Sequence, residues 1–275
     1  MIEAAINGGN PAGPRSPSEI AECAVACIGA GAAIVHNHID LVEGDGGAVA
    51  DRYEEGWAPV LARHPDAILY PTINGVGGAA TRFAHLTPLA ERGVLEVGIV
   101  DPGSVNLGSR FAYVNAGADI EHAVSVCERH SLAPSIAIFE PGFLRAALAY
   151  WRAGRLPPGA MLRFYFGGAE PEAGGDFWFG LPPTEPSLDA YLAMLDGCPL
   201  PWSVAVLGGD VLESALPALA VELGGHLRVG LEDHTSSPAR NEELVARAAA
   251  VVEECGRRVA TPAEARAILG LGARS

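Results

Sequence analysis

Apolar, β-branched runs of strand length recur eight times along the sequence: Ile2–Ile6, Ala33–His36, Ala67–Thr72, Leu95–Val100, Ser135–Phe139, Leu162–Phe166, Ser203–Leu207 and Leu227–Leu231. They are near-continuous rather than strictly alternating. That is the pattern of strands buried on both faces, in a parallel sheet covered by helices. Segments of helical period lie between them. Ser16-Pro17-Ser18-Glu19 offers a cap residue, a proline at the first helical position and a glutamate three residues after the cap. Ile20, Cys23, Ala24, Cys27 and Ile28 then share one helix face, and Gly29 and Gly31 stop it. Thr261-Pro262-Ala263-Glu264 repeats the capping device, and Leu244, Val245, Ala248, Val251, Val252 and Cys255 form one stripe before it.

A βα unit repeated about eight times predicts an α/β fold, a single (β/α)8 TIM barrel over residues 1–275, since such barrels use about 250 residues as one unit. An open doubly wound sheet usually has fewer strands and a glycine-rich first turn. No G-x-G-x-x-G follows the first strand and no G-x-x-x-x-G-K-[ST] occurs anywhere, so the dinucleotide and P-loop readings fail. The charge balance, 18 Lys+Arg against 33 Asp+Glu for a net −15, argues against a nucleic-acid partner, which needs clustered positive charge. With no 18-residue apolar run and no basic, apolar leader in MIEAAINGG, the expectation is a soluble, cytoplasmic protein with no membrane partner. The five cysteines are odd in number and lack a C-x-x-C pair, so buried free thiols are expected rather than disulfides or a cysteine zinc site.

Three motifs carry the chemistry. In His36-Asn37-His38, at the end of the second run, residues i and i+2 share a strand face, so the two imidazoles point together and Asn37 points away. At the carboxyl end of a barrel strand that is a metal-ligand arrangement, although two hydrogen-bonded histidines would give the same pattern. In Gly224-Gly225-His226-Leu227-Arg228-Val229-Gly230-Leu231-Glu232-Asp233, an apolar strand with an embedded arginine runs into two carboxylates. Glu232 is the natural third ligand, and two histidines with one carboxylate leave a fourth position open, as catalytic zinc requires. Asp233 could then act as general base and Arg228 could fork a substrate carboxylate; a structural Arg228–Asp233 ion pair is the alternative. Pro71 to Gly78 is a glycine-rich loop that either cradles a carboxylate or oxyanion with its N–H groups or is a plain βα turn. Gly167–Pro186, with Phe177, Trp178 and Phe179, is long enough for a lid or an interface arm, or for a surface excursion with an aromatic anchor.

Together these residues resemble the β-keto acid cleavage enzymes. The resemblance runs through AAINGG at 4–9, GAAIVHNHID at 31–40, GSVNLG at 103–108, GGHLRVGLED at 224–233, RNEELV at 240–245 and GRRVATPAEARAILGL at 256–271. It implies a zinc-dependent TIM barrel, assembling as a homotetramer, in which a β-keto acid and acetyl-CoA give acetoacetate and a new acyl-CoA. By the same resemblance His36, His38 and Glu232 hold Zn2+, Arg228 and Asp233 are the catalytic arginine and acid/base, and Thr72 and Gly75 are small hydrogen-bonding groups of the substrate pocket. Asn10 stands where an acidic residue pairs with a substrate amino group in one member, so an amino-keto acid is not expected as substrate. Asp101 and Ile99 stand for an asparagine and a threonine of the fourth-strand mouth, and Ala137 for a glutamate, with Glu140 three residues on. Leu207-Gly208-Gly209-Asp210 lacks the arginine often found after the seventh strand. A zinc hydrolase on the same barrel and a non-catalytic metal- or carboxylate-binding barrel are the alternative functions, and dependence of turnover on CoA separates them from the leading one.

Overall fold

The computed structural model describes residues 1–40, 45–73, 77–108, 111–168, 177–272 and 274. Its elements, numbered in chain order, alternate as the sequence predicts. β1 (Ile2–Ala5), α1 (Pro17–Gly29), β2 (Ile34–Asn37), α2 (Gly46–Arg63) and β3 (Ile68–Pro71) come first, followed by the short α3 (Ala79–Arg82) and α4 (Leu86–Glu91). β4 (Val97–Val100) leads into a small hairpin of β5 (Val105–Asn106) and β6 (Ala112–Tyr113), then α5 (Gly117–His130). β7 (Ala133–Ile138), α6 (Pro141–Arg152), β8 (Met161–Gly167), α7 (Glu185–Leu195) and β9 (Trp202–Leu207) follow. A 3-10 turn at Val211–Glu213, α8 (Leu216–Glu222), β10 (His226–Val229), α9 (Asn241–Glu254) and α10 (Pro262–Leu269) end the chain.

Eight strands form one parallel sheet in the order β3-β2-β1-β10-β9-β8-β7-β4. β3 and β4 pack against each other without ladder pairs among the described residues, so the sheet is a nearly closed barrel. Every one of the eight apolar runs is a barrel strand. The β5–β6 hairpin was not legible, because two-residue strands leave no periodicity to read.

Local signals set the helix ends. Ser16 Oγ accepts from Glu19 N at 3.2 Å while Glu19 Oε2 accepts from Ser16 N at 2.8 Å. Thr261 and Glu264 repeat the reciprocal pair at 3.3 and 2.8 Å. Each cap is worth about 1 kcal/mol, and the buried Ile20 and Ile28 of α1 add roughly 1.5–3 kcal/mol apiece. Asn37 does point away from the barrel: its Oδ1 accepts from Trp57 Nε1 at 2.8 Å, which pins α2 against β2.

One interior layer departs from the apolar filling usual in such barrels. Glu3 on β1 accepts from Arg228 Nη1 on β10 at 2.6 Å, from Arg163 Nε on β8 at 2.7 Å, and from the Tyr70 hydroxyl on β3. Glu3 and Arg228 are directly in register. Burial alone would raise the Glu3 pKa, but the two guanidinium groups and Tyr70 hold it down at about 2.

Candidate active site

His36 and His38 project from the end of β2 and Glu232 from the segment after β10, on the face of the barrel where strands end. His36 Nε2 lies 3.3 Å from Glu232 Oε2 and His38 Nε2 lies 3.3 Å from Glu232 Oε1. One ligand atom from each of the three falls within 4.8 Å of the others. Burial pushes the His36 pKa down and keeps its imidazole neutral. Burial works against the Glu232 carboxylate, yet the two histidines and Arg228 hold its pKa well below the ordinary range. A neutral imidazole and an ionised carboxylate are the forms that bind a metal.

The hydrogen bonding of the donor set fits an ion. His36 Nδ1, His38 Nε2 and Glu232 Oε2 are buried and have no hydrogen-bond partner. Buried polar atoms are normally paired, so the unpaired His38 Nε2 and Glu232 Oε2, with His36 Nε2 facing the same carboxylate, fit a divalent ion.

The backbone beneath is tightly specified. Asn7 Oδ1 accepts from His38 N at 2.7 Å and Asn7 Nδ2 donates to His38 O at 2.9 Å, clamping the second ligand. Asn241 Oδ1 accepts from Leu231 N at 2.9 Å and its Nδ2 donates to Ile6 O at 2.8 Å, tying the Glu232 segment to β1. Gly230 has φ +141°, and a Cβ there would stand 2.0 Å from Ala5 O, so only glycine lets the chain turn from β10 into Glu232.

Arg228 is 1 % exposed and fully engaged. Its Nε and Nη2 donate to Asp233 Oδ2 and Oδ1 at 2.9 and 3.1 Å, Nη2 also lies 3.1 Å from Glu232 Oε1, and Nη1 donates to Glu3 and to Tyr70 Oη at 3.0 Å. In this structure its N–H groups are thus taken up by Asp233, Glu232, Glu3 and Tyr70, and none is left free to fork a substrate carboxylate. Asp233 sits behind the guanidinium rather than on the cavity wall. Burial raises its pKa, with the Glu232 charge adding to that and Arg228 opposing, to about 6.

A cavity of about 600 Å³ opens over this cluster. The structure brings His36, His38, Thr72, Asp101, Arg228 and Glu232 to its wall. Asp101 accepts from the Tyr113 hydroxyl of the hairpin, and burial raises its pKa. Asn10 does not reach the cavity: its Nδ2 donates to Leu231 O at 2.9 Å and Thr235 O at 3.2 Å, and its Oδ1 accepts from Ala12 N at 2.9 Å. Glu140 lies in a neighbouring hollow of about 740 Å³, where its Oε1 accepts from Gly180 N at 3.1 Å. Gly75 lies outside the described residues, as do residues 169–176 of the long connection after β8. The far end of that connection is anchored by Phe179, packed edge-on against Phe139 at 5.5 Å. Sequence reasoning missed Glu3, Arg163 and Tyr70, although a charged residue inside an apolar run buried on both faces must find a partner.

A family model described as beta-keto acid cleavage enzyme matches residues 1–271. The chain is 30% identical to a 3-keto-5-aminohexanoate cleavage enzyme of Fusobacterium nucleatum, over 98% of this chain and 97% of that one. It is 30% identical to a 3-oxoadipate:acetyl-CoA acetyltransferase of Cupriavidus necator, over 98% and 94%. Among solved structures, apo ObcA superposes with a TM-score of 0.72 at 20% identity, covering 95% of this chain, which spans 66% of the ObcA chain. That likeness supports the barrel fold.

Proposed function

The chain belongs to the β-keto acid cleavage enzyme family, and from that membership we propose that it transfers an acyl group between a β-keto acid and acetyl-CoA, giving acetoacetate and a new acyl-CoA through carbon–carbon cleavage. The observation that carries this reading is the buried His36–His38–Glu232 cluster with its orphaned ligand atoms on the cavity wall. Two imidazoles and one carboxylate suit zinc, and we assign the ion as Zn2+. When bound, the ion supplies Lewis-acid polarisation of a keto oxygen.

The chain's own residues do the remainder. Arg228 holds Asp233 and Glu232 in fixed relation, Glu232 on the cavity wall and Asp233 behind the guanidinium. Asp233, buried behind Arg228 and with a pKa near 6, is the group we assign to hold the proton exchanged at the carbon beside the keto group, with Arg228, on the cavity wall, between it and the substrate. Its place behind Arg228 keeps it from bulk water. Thr72 and Asp101 offer hydrogen bonds to the substrate from the cavity wall. Asn10, bonded to Leu231 and Thr235 away from the cavity, supplies no contact to an amino group, which speaks against an amino-keto acid substrate. The co-substrate named for the Cupriavidus necator relative supports acetyl-CoA here.

We further propose that residues 1–275 act as one barrel domain and assemble as a homotetramer. Phe111 and Val114, 56% and 61% exposed on the hairpin side, supply apolar surface for subunit contact. All five cysteines are free, as suits a reducing, cytoplasmic compartment. No helix among the described residues is long and apolar enough to cross a membrane.

The test is to purify the protein with its metal, measure metal content, and incubate it with a panel of β-keto acids and acetyl-CoA, following acetoacetate and acyl-CoA by mass spectrometry. Formation of both products by the native protein and not by His38→Ala is expected. Metal content without turnover of any β-keto acid would sink the reading, and turnover independent of CoA would point to hydrolysis.

A further inference from the structure

Two arginines share Glu3, and they are not equivalent. Every N–H of Arg228 has an acceptor, as described above. Arg163, 2 % exposed on β8, makes one hydrogen bond, from Nε to Glu3 Oε2 at 2.7 Å. Its Nη1 is buried without a partner, and its Nη2 makes no hydrogen bond among the described residues. A guanidinium taken from water with its forked end unpaired is costly, and native structures keep such groups where something else binds them.

The surroundings of that free end are built for an anion. Arg163 lines the cavity, and its register neighbours are small: Ala137 on β7, which also lines the cavity, and Ser203 on β9. Ser203 Oγ is itself buried without a partner, so a second unused donor stands beside the first. The Arg163 Cζ lies 5.0 Å from the Tyr70 ring centroid, and the other neighbour of that ring is His36, at 4.4 Å between centroids. One tyrosine ring therefore separates the free guanidinium from the metal ligands. Glu3 divides its charge between two cations, while Arg228 has Asp233 and Glu232 besides; Arg163 shares Glu3 and feels the Asp101 carboxylate of the cavity wall without a hydrogen bond to it, so its forked end is the less engaged of the two.

We infer that Arg163 is a carboxylate anchor within the cavity, its free edge binding an anionic end of the substrate while the keto group lies toward His36, His38 and Glu232. The orientation of the substrate rests on the cleavage reading; the anchor does not. The carboxylate could be the one common to all β-keto acids or a second one at the far end of a 3-oxo diacid. A guanidinium fork serves either.

Isothermal titration of the metal-loaded protein with glutarate and with butyrate, which share a chain length within one carbon and differ by one carboxylate, tests this. Arg163→Gln removes the fork. Ala137→Glu leaves Arg163 in place and supplies a carboxylate from the adjacent strand, so it answers the question even if Arg163→Gln fails to fold. In both variants the dissociation constant for glutarate is expected to rise roughly ten- to hundred-fold, the worth of a charge-assisted bond. Loss for glutarate with butyrate unchanged assigns Arg163 to a second carboxylate; equal loss for both assigns it to the first. Binding of both acids unchanged in a folded Ala137→Glu, or no binding of either acid to the native protein at millimolar concentration, overturns the anchor. Because calorimetry needs no turnover, a failure of the cleavage assay would leave this result standing, and the reverse.

Discussion

Arg228 presents Nε and Nη2 to the two carboxylate oxygens of Asp233, five residues away across the end of β10, in a buried fork-to-fork pair. The same guanidinium reaches Glu3 on β1 and Glu232 at the metal cluster, so one side chain orders the acid/base, the interior layer and a ligand together.

Replacing that fork with a point charge should be severe. In Arg228→Lys an ammonium can satisfy at most part of this set, leaving buried carboxylates without donors. A loss of about 3–5 kcal/mol of unfolding free energy is expected in urea denaturation. A loss below about 1 kcal/mol would mean that the network contributes little to the fold.

Asp233→Asn keeps the shape and one acceptor for Arg228 but removes the proton carrier. The expected result is a fall in kcat of roughly a hundred- to ten-thousand-fold with KM little changed. A comparable rise confined to KM would assign Asp233 to binding instead.

How far the sequence anticipates this arrangement depends on whether each contact is local. The eight strands were legible because burial on both faces demands uninterrupted apolar runs, and His36 and His38 because strand alternation puts i and i+2 on one face. The Ser16 and Thr261 caps involve neighbours three residues apart. Asn10 is the opposite case: its partners Leu231 and Thr235 lie more than two hundred residues along the chain, and only barrel closure brings them near. Glu3, Arg163 and Arg228 each sit alone within an apolar run, which announces a buried charge but not which strand answers it.

Metal removal should lower stability as well as activity. The unpaired His38 Nε2 and Glu232 Oε2 gain a partner in the metal-bound fold, so an ion at a thousand times its Kd should add about 4 kcal/mol. Differential scanning fluorimetry before and after chelation, and after zinc is returned, measures this. His38→Ala should show almost no difference between the two states.

Acid should unfold the protein partly through Glu3. Its pKa is held at about 2, below the ordinary 4.5, so the folded state prefers the ionised form. The associated stability is fully present above pH 4.5 and is lost as pH falls toward 2. The size is about 3 kcal/mol at 1.36 kcal/mol per unit. Glu3→Gln starts from a lower stability, but its stability should fall less across that window; an identical acid slope in both proteins would remove Glu3 from the account.

Gly8, just beyond β1 and beside the segment after β10, controls the third ligand. It has φ +49°, and a Cβ there would lie 2.5 Å from Glu232 Cγ and 3.0 Å from Glu232 Cβ. Gly8→Ala therefore imposes two costs. The left-handed backbone is worth roughly 1–2 kcal/mol against any L side chain, and the methyl must displace Glu232, which Arg228 holds at 3.1 Å from its other side. Glu232 cannot retreat toward Arg228, so it should shift relative to His36 and His38 and lose the common approach of the three ligand atoms. A fall in metal affinity of about ten- to a hundred-fold is expected, read by competition with a chromogenic chelator, with a smaller loss of global stability. If stability falls by the backbone cost while metal affinity holds, Glu232 is free to move and is not the ligand that Gly8 makes room for.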